Sequence, residues 1–96
     1  MLVLITYDVK TSSVGGTKRL RQVAKKCESH GMRVQNSVFE CQIDASQLVQ
    51  LKHDLLKIIN SEQDSLRFYN LGNHYKNKVE HVGTKDVINV EDPLIF

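Results

Sequence analysis

Leu2-Val3-Leu4-Ile5-Thr6-Tyr7-Asp8 is the stretch on which the fold turns. Its residues are β-prone, and both alternating sides are largely apolar: Leu2, Leu4 and Thr6 on one, Val3, Ile5 and Tyr7 on the other. Such a strand belongs inside a sheet, covered on at least one face. It closes at Asp8. A loop from Val9 to Gly16 follows, broken by Thr11, Ser12, Ser13, Gly15 and Gly16.

Beyond the loop, Leu20, Val23, Ala24 and Cys27 recur at helical spacing and make one apolar stripe. Thr17 is the expected N-cap and Gly31 the expected left-handed C-cap, with His30 in the last turn. From Arg33 to Ile43 the chain reads as a short strand, a tight turn or bulge near Asn36, and a longer strand. Asp44-Ala45-Ser46-Gln47 carries the spacing of a capping box. It opens a second helix with Leu48, Leu51, Leu55, Ile58 and Ile59 on one side, ending near Asn60. Ser65–Leu71 alternates as a strand, stopped by Gly72. Val79–Val82 and Val87–Val90 are two further short strand candidates, the second closed by Pro93.

The order β-α-β-β-α-β predicts an α+β, ferredoxin-like fold: an antiparallel sheet with both helices on one face and an extra C-terminal strand. Residues 1–96 make a single domain, with 91–96 as a candidate flexible tail. The first strand is apolar on both sides while the helices cover only one. That mismatch predicts a face-to-face homodimer, with the terminal strand stitched onto the partner's sheet edge.

Composition narrows the class. The net charge of +2 is too small to announce a nucleic-acid binder by itself. The distribution says more. Lys10, Lys18, Arg19, Arg21, Lys25, Lys26 and Arg33 cluster with a single acid, Glu28, among them. This is either a solvated helix face or a local positive field for a polyanion. No apolar run is long enough to span a membrane. The apolar start has neither a preceding basic region nor a small-residue cleavage site, so a signal peptide is not expected. Cys27 and Cys41 form no CxxC, and a cytoplasmic protein with two reduced cysteines is expected.

Asp8 is the sharpest chemical feature. It is either a turn acceptor for a backbone N–H or a rim carboxylate facing a cation. One carboxylate is a poor magnesium site, because magnesium takes near-octahedral oxygen coordination. Two copies of Asp8 across a two-fold axis would supply a pair. Tyr7 either packs in the sheet or brings its hydroxyl to the loop. Lys18, Arg19 and Arg21, on the first turns of the first helix, are candidates for phosphate contact, with Ser12 and Ser13 as hydrogen-bonding loop residues. Arg19 and Arg33 are candidates for a clamp at the rim. Phe39 is either core or a stacking wedge at the sheet edge. The four histidines are scattered without metal-ligand spacing.

The strand ending at Asp8, the segment Lys18-Arg19-Leu20-Arg21-Gln22-Val23-Ala24-Lys25, and above all Gly31-Met32-Arg33-Val34-Gln35-Asn36-Ser37-Val38-Phe39-Glu40 resemble the small CRISPR-associated nuclease family. This is the smaller of the two core spacer-acquisition proteins. The strand from Asp64 and Gly72 also fit. The resemblance spans about residues 1–90. It implies a ferredoxin-like homodimer and a magnesium- or manganese-dependent phosphodiesterase with Asp8 of each subunit as the metal carboxylate. Tyr7, Arg19, Arg33 and Phe39 would assist. The resemblance implies nucleic acid as the substrate, with double-stranded DNA favoured and single-stranded RNA as the alternative. The CRISPR integrase is the implied partner, which the dimer could bridge on DNA without cleaving anything.

Overall fold

A computed structural model describes residues 1–83. The order is β1 (Leu2–Asp8), α1 (Gly16–Glu28), β2 (Met32–Gln35), β3 (Val38–Gln42), α2 (Ala45–Ile58) and β4 (Ser65–Gly72). The sheet order is β2-β3-β1-β4 and every neighbouring pair is antiparallel. β3 therefore inserts between β1 and β2, the split βαβ of the ferredoxin-like fold.

α2 opens as its sequence predicts. Asp44 Oδ1 accepts from Gln47 N–H at 2.7 Å, and Gln47 Oε1 accepts from Asp44 N–H at 2.9 Å. A cap of this kind stabilises a helix by about 1 kcal/mol. α1 departs from expectation at both ends. Its N-cap is Gly15, at φ 76°, and not Thr17, which lies inside the first turn. At the other end the chain leaves through Ser29 in right-handed geometry. Gly31 is not in the left-handed region. It is needed for closeness: a Cβ there would run into the Glu40 carbonyl and the Cys41 sulfur of β3.

The core is one layer between sheet and helices. Val3, Ile5, Tyr7, Phe39 and Cys41 come from the sheet, Val23 and Cys27 from α1, Leu51 and Leu55 from α2. Burying each large side chain contributes roughly 1.5–3 kcal/mol. Lys26 Nζ and Asp54 Oδ2, 2.9 Å apart, tie α1 to α2 at the surface.

Leu4, Thr6, Met32, Val38, Glu40 and Tyr69 occupy the opposite sheet face and stay half-buried or exposed. One end of that face is covered by the chain itself. Leu2 and Tyr75 are buried outside the main core cluster. The Tyr75 hydroxyl accepts from Gln42 Nε2, and Gln42 lies directly opposite Leu2. The predicted strand at Val79–Val82 is absent: those residues are exposed and carry no strand pairing. The candidate strand at Val87–Val90 and the tail at 91–96 lie outside the described residues. No described helix is long and apolar enough to cross a membrane.

Candidate functional site

β1 pairs with β4 without irregularity from Val3 to Asp8, so side chains alternate cleanly along it. Val3, Ile5 and Tyr7 turn to the helices, and Asp8 shares the open face with Leu4 and Thr6. Asp8 is exposed and lies opposite Ser65. Among the described residues no ion pair reaches it.

Tyr7, Arg33 and Phe39 come together, but on the helix side of the sheet. The Tyr7 and Phe39 rings stack with centroids 6.2 Å apart at 24°. The Arg33 guanidinium lies over the Phe39 ring, 5.2 Å from its centroid, and Arg33 Nη2 reaches Glu28 Oε1 at 3.4 Å. Phe39 is fully buried, which removes the stacking-wedge alternative. The Tyr7 hydroxyl donates to the Asn36 carbonyl at 3.3 Å, in the β2–β3 turn and not in the loop after Asp8. Burial pushes the Tyr7 phenol up, opposed by the nearby Arg33 charge.

Arg19 and Ser13 are engaged inside the protein. Arg19 Nε donates to Asp64 Oδ2 at 2.8 Å, and Nη2 to Asp64 Oδ1 at 3.3 Å and to Ser13 Oγ at 2.7 Å. Nη1 donates to the Val14 carbonyl at 2.9 Å. One N–H of the five-donor fork is left for anything else. The Ser13 hydroxyl donates to the Lys10 carbonyl at 2.7 Å. Ser12 is exposed in the same loop. A clamp made jointly by Arg19 and Arg33 is not assembled: one closes the β1–α1 loop and the other covers Phe39.

Lys18, Arg21 and Lys25 are exposed along α1 and, with Arg33 across from them on β2, line an open groove. Glu28 stands at one end. Lys26 is turned away, paired with Asp54.

Asp64 and Tyr75 escaped the sequence reading, and so did the half-burial of Glu40, a residue that reads as an exposed strand-face carboxylate able to ligate or bridge. Asp64 is the one buried charged residue among the described ones. Its Arg19 partner and the backbone N–H groups of Asn60 and Lys10 hold its carboxyl down at about 2. Glu40, half-buried on the open face, has its pKa raised by burial, with His81 opposing. Tyr75 covers the Leu2 end of that face. Only a general rule that carboxylates seek cations pointed toward Asp64, and nothing in the local pattern selected Arg19 as its partner.

The remaining chemistry is quiet. Burial pushes the Cys27 thiol up to about 12 and Cys41 up to about 11, so neither is a ready nucleophile. Among the described residues no group of three or more His, Cys, Asp or Glu could hold a metal. Among the described residues of one chain the donor set does not fit a resident divalent ion. Asp8 is an accessible, hard oxygen donor of the kind such ions take, and a second Asp8 is the donor it lacks.

The sequence matches the family described as CRISPR associated protein Cas2 over residues 1–79. It is 67% identical over 96 residues to the CRISPR-associated endonuclease Cas2 of Halalkalibacterium halodurans, covering 100% of both chains. It is 55% identical over 96 residues to the CRISPR-associated endoribonuclease Cas2 of Nitratidesulfovibrio vulgaris, covering 100% of this chain and 94% of that one. The crystal structure of Streptococcus pyogenes Cas2 at pH 6.5 superposes with a TM-score of 0.76 at 52% identity, covering 86% of this chain and 100% of that one.

Proposed function

The chain belongs to the CRISPR-associated Cas2 family, and from that premise we propose that it is an endonuclease acting in spacer acquisition, with double-stranded DNA as favoured substrate and single-stranded RNA as the other. The observation that carries the reading is Asp8: an exposed carboxylate, free of ion pairs among the described residues, at the end of a central strand on the face the helices leave open. The names of the relatives, endonuclease and endoribonuclease, support the same chemistry.

The site is completed by a second copy of the chain. Leu4, Val38, Met32 and Tyr69 form a partly exposed apolar surface around Asp8's strand, and a face-to-face homodimer would cover it. The two Asp8 carboxylates would then hold magnesium or manganese. When bound, such an ion polarises a phosphoryl oxygen and makes water a nucleophile near neutral pH. Asp8 contributes the negative charge and oxygen donors. Lys18, Arg21 and Lys25 hold the nucleic-acid backbone by its phosphates. Tyr7, Phe39 and Arg33 support the strand from the helix side.

A second reading has an observation of its own. The basic groove on α1 and β2 is on the helix side, whereas Asp8 is on the open face. A surface so separated suits a DNA-bridging adaptor for the CRISPR integrase that needs no cleavage. The deciding experiment incubates wild type and Asp8→Ala with labelled duplex DNA and single-stranded RNA, in magnesium, manganese or EDTA, with dimer state measured alongside. Metal-dependent cutting lost in the variant supports the nuclease. Binding without cutting by either protein supports the adaptor.

A further inference from the structure

We propose that Arg19 and Asp64 form a positioning clamp that sets where β1 ends, and thereby where the Asp8 carboxylate stands. The inference rests on the reading of Asp8 as the site carboxylate.

The Asp64 side chain is wholly buried and accepts four hydrogen bonds on two oxygens. Two come from Arg19, one from Lys10 N–H at 3.0 Å and one from Asn60 N–H at 2.8 Å. Three segments therefore meet on one carboxylate: the β1–α1 loop, α1, and the α2–β4 connection. Lys10 is two residues beyond Asp8. Ser65, the residue after Asp64, is the cross-strand neighbour of Asp8. The clamp thus brackets Asp8 along the chain and across the sheet at once.

The rest of the Arg19 fork acts on the same loop. Val14 O and Ser13 Oγ accept from it, and Ser13 donates back to Lys10 O. The Ser13 and Gly16 N–H groups donate to Lys10 O and Ser13 O, closing the turn. α1 is packed hard against that turn: a Cβ on Gly16 would meet the Lys10 carbonyl and lie 2.7 Å from Thr11 Cα. A buried ion pair adds little net stability, because desolvation offsets its attraction. This one supplies direction instead. A bidentate guanidinium fixes distance and plane, which a lone charge does not. A two-fold carboxylate site tolerates little error, because each displacement of Asp8 is doubled across the axis. The chemistry served is oxygen coordination of a divalent cation at a phosphodiester.

The test uses the full chain as wild type, Asp8→Asn, Asp64→Asn and Arg19→Lys. Three quantities are read well below each protein's melting temperature: Mn2+ binding by paramagnetic resonance without nucleic acid, kcat, and KM. Removing a group that orients a ligand costs roughly 10- to 100-fold in metal affinity or activity. Asp64→Asn is expected to weaken Mn2+ binding and lower kcat on that scale, with KM near wild type because neither residue meets the substrate. Arg19→Lys keeps the charge and loses the fork, and should fall between. If Asp64→Asn does not fold, Arg19→Lys decides. Clamp variants that bind Mn2+ and turn over like wild type, while Asp8→Asn abolishes both, overturn the clamp and leave the nuclease reading standing. An Asp8→Asn protein indistinguishable from wild type overturns that reading and the clamp with it.

Discussion

Tyr7 and Asp8 share a peptide bond and face opposite sides of the sheet. One ring is buried in the core against Phe39, and one carboxylate stands in the open. The alternation of a regular strand is enough to cause this, and it divides the residues of the family resemblance into two groups. Asp8 is exposed at the strand end, the place the proposed function needs it. Tyr7, Phe39 and Arg33 are placed to hold the sheet.

That division predicts different mutational signatures. Phe39→Ala should destabilise the fold by about 3–5 kcal/mol, the usual cost of emptying a buried aromatic site. Tyr7→Phe should cost about 0.5–1.5 kcal/mol, for one hydrogen bond to Asn36. Asp8→Asn, exposed and outside every ion pair of the described residues, should leave stability near wild type. Urea unfolding measures all three. A Phe39→Ala protein of unchanged stability that nonetheless loses cleavage would return Phe39 to the reacting site.

The groove predicts a salt effect. Alanine at Lys18, Arg21 and Lys25 should weaken duplex binding. It should also flatten the dependence of log affinity on log salt by about 0.9 for each lost phosphate contact. Asp8→Asn should leave that slope unchanged. Fluorescence anisotropy across a salt series reads both. A slope that survives the triple substitution would place the backbone elsewhere on the molecule.

The parts of the fold written within a few residues were readable in advance. The Asp44–Gln47 box and the stripe of α1 depend on spacing alone. The place of Asp8 at the rim of the sheet follows from its position at the end of an apolar strand. What could not be read depends on segments meeting in space. Arg19 reads as a phosphate ligand in sequence because its partner, Asp64, is 45 positions away. Tyr75 carries no local signal that marks it, because Gln42, which it meets, is 33 positions away. Gly31 looked like a helix terminator, and its actual constraint is the backbone of β3.

Gly31→Ala should therefore act through packing rather than backbone geometry. The new methyl meets the Glu40 carbonyl and the Cys41 sulfur, and must push α1's exit away from β3. Overpacking of this kind costs about 1–3 kcal/mol. Thermal unfolding of Gly31→Ala beside Gly72→Ala separates the causes, because Gly72 has φ 76° and open space around it. A shift at Gly72 with none at Gly31 would show that conformation matters here and closeness does not.

Acid stability should carry the mark of Asp64. Its carboxyl is held at about 2 in the fold against an ordinary value of 3.8, chiefly by the hydrogen bonds from Arg19. A group depressed by folding stabilises the native state above its unfolded pKa, and the gain is lost as pH falls through the folded one. Stability should thus drop as pH goes from about 4 toward 2, where the unfolded chain binds a proton that the native state refuses. Asp64→Asn should flatten this part of the profile. Asp54, also lowered, by Lys26 first, contributes equally to both proteins, so the difference between them isolates Asp64. Glu40 acts with the opposite sign: burial raises its pKa, so its contribution is complete below 4.5 and fades as pH rises. Urea unfolding of both proteins at closely spaced acidic pH values measures the slope. Parallel profiles would mean that Asp64 keeps its low pKa in the unfolded chain or does not have one in the fold.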